Sequence, residues 1–424
     1  MTTGILALII LSAILAQVAI VMLIGLYRRK GQYRNLDESR SKAQTLIETH
    51  APATFVAAPV TDNLPWEGFR EFMVQHREFE DSNRSICSFY LVPVDGNPLP
   101  AFRPGQFLTF KLAIEDSVTH QPKTVVRCYS LSDAPRPDYY RISIKRIPAA
   151  ADRPDAPPGL SSSFFHDHVQ EKSRILVKAA SGHFHLVEDE PLPIVLIGGG
   201  IGITPMLSIL NTLLKDETDR EIWLYYGVSN GGEHVMKEHL QKLARAHDNF
   251  HLHVCYSEPN ENDLQGDDYQ HTGRVGIPLL RTTLKLKHYQ FYVCGPGPMM
   301  ESLVPGLEDW GVDSGDIYYE SFGPASIIKH EKTPLSATTQ PITVTFSRSG
   351  KSILWDFDAD SLLEFADAND IEVESGCRAG SCGTCQTAMK IGAVDYNQEP
   401  DADVAPGHCL LCISTPTSDL TLDA

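Results

Sequence analysis

Three cysteines within nine residues, Cys377, Cys382 and Cys385, constrain this chain more than any other feature. The run Cys377-Arg378-Ala379-Gly380-Ser381-Cys382-Gly383-Thr384-Cys385 is a C-x4-C-x2-C pattern. Thiolates are soft ligands that suit iron and sulfide, and a tight loop can aim several of them at one centre. Gly376, Gly380 and Gly383 let the backbone bend around that centre and turn N–H groups toward the sulfurs. A four-thiolate zinc site is the competing use, but such sites are usually built from two C-x2-C knuckles, and this tract has one such pair plus an outlier upstream. A fourth ligand must come from elsewhere, and Cys409 and Cys412 both offer one.

The tract resembles plant-type [2Fe-2S] ferredoxins, whose last ligand precedes a Pro-x-Ser-Asp stretch. Cys412-Ile413-Ser414-Thr415-Pro416-Thr417-Ser418-Asp419 is similar to that stretch. The resemblance implies that Cys377, Cys382, Cys385 and Cys412 hold a [2Fe-2S] cluster in an α+β (β-grasp) domain over 341–424. Cys409 is then a bystander thiol.

A chain of 424 residues is too long for one ordinary core, so several domains are expected. Nine cysteines, an odd number, argue for reduced thiols rather than a secreted disulfide framework. With 36 Lys+Arg against 54 Asp+Glu, a net charge of -18 repels nucleic acid. Residues 340–424 hold 4 Lys+Arg and 14 Asp+Glu, so much of that excess sits on the cysteine-bearing block, where it could steer a basic protein partner.

Residues 4–27 form an uncharged apolar run followed by Arg28, Arg29, Lys30 and Arg34. Its 24 residues, as a helix, reach across a hydrocarbon core of about 30 Å. The basic cluster predicts a single-pass membrane anchor with the rest of the chain in the cytoplasm. A cleaved signal peptide fits less well, because no positive region precedes the run. Residues 28–65 read as a stalk and linker.

Short alternating apolar runs over 66–190, such as 107–112, predict an antiparallel β-barrel. Strand-then-helix alternation over 191–325, with strands near 194–197, 222–226 and 290–293, predicts a parallel α/β domain. A Thr/Pro/Ser/Ala-rich linker covers 326–340.

Within the first of these blocks lies Arg127-Cys128-Tyr129-Ser130. An Arg can pair with a pyrophosphate, a Tyr ring can lie against an isoalloxazine, and a hydroxyl can reach flavin N5. Gly159-Leu160-Ser161-Ser162 follows, a glycine turn into a helix N-terminus that favours phosphate. Lys145 is a further candidate for the same ligand. Together these resemble the flavin domain of the ferredoxin–NADP reductase family, and the resemblance implies FAD, with FMN the alternative.

The second block opens with an apolar run leading into Gly198-Gly199-Gly200-Ile201-Gly202-Ile203-Thr204-Pro205. Glycines let the turn pass close to a pyrophosphate; Thr204 is expected to cap the next helix and Pro205 to take its first position. The turn resembles the G-G-x-G-x-T-P of the same family, and Cys294-Gly295-Pro296-Gly297-Pro298-Met299 resembles its C-G-P-x-x-M. The resemblance implies that Gly199, Gly200, Gly202, Thr204, Pro205, Cys294, Gly295 and Met299 meet a nicotinamide nucleotide, with Cys294 near the reacting carbon. For Glu320-Ser321-Phe322-Gly323 it implies a Glu near flavin N5 and an aromatic covering the ring, so Ser130, Cys294, Glu320 and Phe322 are the expected catalytic set. A 2′-phosphate wants a cation just after the second strand. Lys237 is the nearest there, so NADH is preferred over NADPH.

Flavin, nicotinamide, ferredoxin is the domain order of phthalate dioxygenase reductase and similar oxygenase reductases. It implies hydride transfer from NADH to the flavin, single electrons onward to the cluster, and a protein acceptor such as a membrane oxygenase, hydroxylase or desaturase. The alternative is a respiratory-type NADH:quinone or small-molecule reductase needing no protein acceptor.

Overall fold

Alternation decides the first layer. Along β3 (Phe107–Glu115), Leu108, Phe110, Leu112 and Ile114 point into one apolar core while Lys111 and Ala113 point away. The same core takes residues from β1 (Phe69–Phe79), β2 (Ile86–Pro93), β4 (Pro122–Ser130), β5 (Tyr140–Lys145) and β6 (Arg174–Ser181). These strands form an antiparallel sheet in the order β4-β3-β6-β1-β2-β5. A bridge between Leu131 and Ile142 draws its two edges together, as barrel closure requires. Helix α1 (Leu160–His168) plugs the barrel with Phe165, which meets Phe89, Phe110 and Tyr129 edge-on.

The structure, a computed structural model, describes residues 66–424 apart from 67, 116–120, 150–156, 188–191, 217, 321, 323–340, 358, 379, 381, 398–399 and 401. Among the described residues no helix is long and apolar enough to cross a membrane. The apolar run at 4–27, the stalk to 65 and the linker at 326–340 lie outside them.

The second layer is a six-stranded sheet whose paired neighbours all run parallel, in the order β10-β9-β8-β7-β11-β12. Its strands are β7 (Ile194–Gly199), β8 (Ile222–Val228), β9 (Phe250–Tyr256), β10 (His271–Thr272), β11 (Gln290–Cys294) and β12 (Ile317–Glu320). Strand β7 is buried throughout, as its unbroken apolar run requires. Helix α2 (Ile203–Lys215) covers one face, with Ile203, Met206, Leu207, Ile209 and Leu210 all fully buried. Each such side chain contributes about 1.5–3 kcal/mol. Helices α3 (Lys237–Ala246), α4 (Ile277–Thr283) and α5 (Gly297–Asp309) complete the layers.

The last block is α+β. Its mixed sheet runs β14-β13-β19-β15-β17, built from β13 (Thr343–Phe346), β14 (Lys351–Leu354), β15 (Gln386–Ile391), β17 (His408–Leu410) and β19 (Leu420–Leu422). A separate hairpin pairs β16 (Val394–Tyr396) with β18 (Ser414–Pro416). Helix α6 (Leu362–Ala368) begins at Ser361, whose hydroxyl accepts the Glu364 N–H at 3.2 Å. The cysteine tract fills the gap between α6 and β15.

Candidate functional site

A cavity of about 430 Å³ lies where all three blocks meet. The barrel lines it with Arg127, Tyr129, Ser130, Lys145 and the start of α1, the parallel-sheet layer with Ile201, Thr204 and Glu320, and the cysteine tract with Gly376, Cys377 and Arg378. Gly159 is the residue capping α1, as the glycine turn predicts, and no side chain caps it. The first-turn N–H groups of α1 therefore open toward the cavity without carbonyls of their own helix to bond. Ser162 braces the turn: its hydroxyl donates to Gly159 O at 3.0 Å and accepts from Ile147 N–H at 3.2 Å. Ser161 and Tyr129 share a hydroxyl hydrogen bond of 2.8 Å, which sets the Tyr ring at the cavity wall.

Arg127 donates to Val126 O at 2.7 Å. Burial, then the nearby charge of Arg378, weakens its hold on its proton. Two guanidinium groups from different blocks thus bear on one cavity, and Arg378 is already 2.8 Å from the Asp367 carboxylate, which leaves Arg127 the stronger candidate for an anionic phosphate. With its aromatic wall and open helix start, the cavity fits a flavin. Arg378 was not among the expected flavin contacts, because only tertiary packing carries it there. Lys145 lines the same cavity, but its ammonium is 3.1 Å from Glu233, which lies just after β8. It ties barrel to parallel sheet and is a weaker candidate for the flavin than the sequence suggests.

On the facing side, Ser130 is buried and donates to Glu320 Oε2 at 3.1 Å. Glu320 ends β12, Cys294 ends the adjacent β11, and the two are paired in register. Cys294 is fully buried; burial, with the Glu320 charge adding to it, pushes its thiol well above the ordinary range. Phe322 lies two residues beyond the strand, half-exposed on the same cavity. Ser321 and Gly323 lie outside the described residues.

The glycine turn after β7 does more than give the backbone freedom. A Cβ on Gly202 would come within 2.2 Å of the Cys294 carbonyl oxygen, so only glycine lets this turn close on the end of β11. Met299, in α5, packs against the bare Cα positions of Gly199 and Gly295. One expectation is corrected. Gly200–Gly202 form a short 3₁₀ turn, and α2 starts at Ile203 with Gly202 as its cap. Thr204 therefore sits inside the helix, donating to Ile201 O at 3.0 Å, and Pro205 occupies the third helical position. Pro is tolerated there because first-turn N–H groups have no helical partner.

In the cysteine tract, Arg378, Gly380 and Gly383 all have positive φ, of 59°, 77° and 68°. These left-handed residues curl the loop around its sulfurs. The four expected ligands fall into two pairs. The Cys377 N–H donates to Cys382 Sγ at 3.2 Å and the Cys382 N–H to Cys377 Sγ at 3.3 Å. Cys385 Sγ lies 3.2 Å from Cys412 Sγ. No group of three or more His, Cys, Asp or Glu among the described residues is set to hold a single metal ion. The reciprocal N–H···Sγ bonds of Cys377 and Cys382 and the Cys385–Cys412 sulfur contact present the soft thiolate donors that iron and sulfide take. Cys409, fully buried on β17 within the apolar core, stands outside this arrangement.

On the nucleotide side, Lys237 is bonded to Asp268. Lys145 is likewise held by Glu233, so these two cations are ion-paired near the end of β8, which suits NADH.

Comparison with known proteins matches two of these blocks. Residues 196–304 match the oxidoreductase NAD-binding domain, and 344–417 match the 2Fe-2S iron-sulfur cluster binding domain. A flavohemoprotein of Bacillus thuringiensis is 40% identical over 265 residues, 62% of this chain and 63% of that protein, so this chain spans less than two thirds of that relative's length. The FAD/NAD-binding domain of nitric oxide dioxygenase from Vibrio cholerae superposes with a TM-score of 0.52 at 32% identity, covering 60% of this chain and 99% of that one. Phthalate dioxygenase reductase superposes with a TM-score of 0.51 at 26% identity, over 84% of this chain and 98% of that one.

Proposed function

We infer the function from a family premise: the chain belongs to the ferredoxin reductase-type FAD- and NAD-binding oxidoreductases and carries a 2Fe-2S domain after its nicotinamide domain. It is an NADH-dependent FAD/[2Fe-2S] electron-transfer reductase. When bound, the flavin takes up a hydride and the cluster carries single electrons. The observation that carries this reading is the shared cavity, on which flavin motif, hydride-side residues and cluster loop all converge.

Position supports the following residue roles. Arg127 and the start of α1 would hold the flavin phosphates, and Tyr129 and Phe322 would bound its ring. Ser130 and Glu320 form one hydrogen-bonded unit that positions a proton beside the reacting centre. Cys294, buried and protonated beside Glu320, would stand behind the nicotinamide site without itself acting as a nucleophile. Cys377, Cys382, Cys385 and Cys412 hold the cluster.

The acceptor is a protein, and the 4–27 run tethers the reductase to the cytoplasmic face of a membrane beside it. The apolar run with its basic flank and the acidity of 340–424 support this reading. Deleting residues 1–30 tests it. NADH–ferricyanide turnover should persist while recovery with the membrane fraction is lost. Loss of both would rule out a simple tether, and rapid reduction of quinone by purified protein alone would favour an enzyme without a protein acceptor.

A further inference from the structure

Just beyond Ser130 the chain leaves the barrel wall and touches the parallel-sheet layer. Leu131, whose bridge to Ile142 closes the barrel, leads into Ser132 and Asp133. The Asp133 carboxylate is only 4% exposed, and a buried charge persists only where donors surround it. From its own segment it takes the Ala134 N–H at 2.9 Å, Arg136 Nε at 3.0 Å and the Tyr139 hydroxyl at 2.9 Å, with Arg141 3.9 Å away. A further donor crosses from the other layer: Asn211 Nδ2 of helix α2, at 2.8 Å.

The α2 side of this contact is a periodic face. Thr204, Ser208, Asn211 and Lys215 recur at helical spacing, so they lie along one side of the helix. Ser208, fully buried, donates to the Asp133 carbonyl oxygen at 2.9 Å and accepts the Gly105 N–H at 3.4 Å. Lys215 Nζ reaches Pro135 O at 3.5 Å, and Thr204, at the head of the helix, lines the shared cavity. Asn211 Oδ1 meets His239 Nε2 of α3 at 3.1 Å, which holds the amide with its NH₂ toward Asp133. Ahead of the same helix stands the Gly200–Gly202 turn, closed against the Cys294 carbonyl. Asn211 is about 10 Å of helix axis behind Thr204, so a shift at Asp133 carries to the glycine turn.

We propose that Asp133 and Asn211 are positioning residues for hydride transfer: their hydrogen bond clamps α2 to the barrel and so sets the nicotinamide site against the flavin site, without either residue touching a ligand. Where the glycine turn sits relative to Tyr129 and Ser130 is then decided at this contact. Misplacing reacting groups by about 1 Å can cost about 10²-fold in rate, even when the cause lies far from the chemistry. Nucleotide affinity is different. It depends on the glycine turn and Met299, which belong to one layer and move together. Loosening the clamp therefore slows the hydride step and spares NADH binding. This rests on the reading that the chain passes a hydride from NADH to a flavin.

The test compares full-length, FAD-loaded wild type with Asn211→Ala, Ser208→Ala and Arg136→Ala. Arg136→Ala removes a bond to the same carboxylate from the barrel side alone, and so controls for loop packing. In anaerobic stopped-flow reduction, the limiting rate at saturating NADH should fall about tenfold in Asn211→Ala, with the NADH dissociation constant within about twofold of wild type. Arg136→Ala should keep the wild-type rate. Ser208→Ala, which deletes one oxygen, should slow in the same sense and carries the test if Asn211→Ala does not retain FAD. Apart from turnover, hydrogen exchange of amides 203–215 in the nucleotide-free protein should quicken in Asn211→Ala and not in Arg136→Ala. Equal rates in all four proteins, an equal fall in Arg136→Ala and Asn211→Ala, a loss confined to NADH affinity, or loss of FAD from both helix variants overturns the clamp while leaving the hydride reading intact. Wild-type protein that binds no flavin, or whose flavin NADH does not reduce, would overturn the hydride reading itself, and this proposal with it.

Discussion

Ser130 Oγ donates a 3.1 Å hydrogen bond to Glu320 Oε2 across 190 residues of chain, joining the last residue of β4 to the last residue of β12. Barrel and parallel sheet thereby share one polar unit at the cavity, and neither residue has this environment within its own block.

The two should act together in hydride transfer. Ser130→Ala and Glu320→Gln are each expected to slow anaerobic flavin reduction by NADH by about 10²-fold in stopped-flow measurements. The double variant should lose little more than either single one, because residues acting as a unit are not additive. Strictly multiplicative losses would show two independent roles.

The two late cysteines should separate cleanly. Cys412 Sγ lies 3.2 Å from Cys385 Sγ, whereas Cys409 is fully buried on β17 and pairs across the ladder with Thr387. Cys412→Ser should fail to assemble the visible-absorbing centre, while Cys409→Ala keeps full iron and sulfide content. The reverse result would move the fourth ligand to Cys409.

Choice of nucleotide should depend on Asp268, which neutralises Lys237 near the end of β8. Asp268→Asn frees that cation for a 2′-phosphate. The ratio of kcat/KM for NADPH over NADH should rise roughly fivefold, about 1 kcal/mol, with the NADH value little changed. An unchanged ratio would remove Lys237 from the nucleotide site.

His234 gives the parallel-sheet layer an acid sensitivity. It is 3% exposed, with Nδ1 2.8 Å from the Tyr256 hydroxyl, and burial followed by the charge of Lys237 lowers its pKa to about 4. Folded His234 is thus neutral where the unfolded chain already binds a proton. Its share of stability is complete above about pH 6.5 and is lost as pH falls toward 4, at most about 3 kcal/mol. Hydrogen exchange of the β8 and β9 amides, corrected for intrinsic rate, should show weaker protection at pH 5 than at pH 7. That difference should shrink in His234→Gln, and equal differences in both proteins would assign the sensitivity elsewhere.

Much of the site was legible where its chemistry is contiguous. The C-x4-C-x2-C tract, the Arg127–Ser130 motif and the glycine turn after 197 are each short enough for spacing and backbone freedom to announce their use. The strands near 194–197, 222–226 and 290–293 stood out for a similar reason, since buried parallel strands read as unbroken apolar runs. Details of helix starts did not. An extra 3₁₀ turn at Gly200–Gly202 displaced Thr204 from the capping position, and nothing local distinguishes that turn from a direct entry into the helix.

The sequence by itself determined which residue types were available, in what order, and the chemistry each motif can perform. Only the tertiary structure decided their partners: Ser130 with Glu320, Arg127 and Arg378 on one cavity wall, Lys145 on Glu233 and Lys237 on Asp268. The reason is physical. A motif is written in backbone geometry and side-chain chemistry over a few residues, whereas a contact between distant segments follows from how whole apolar faces pack, and no local pattern carries that information.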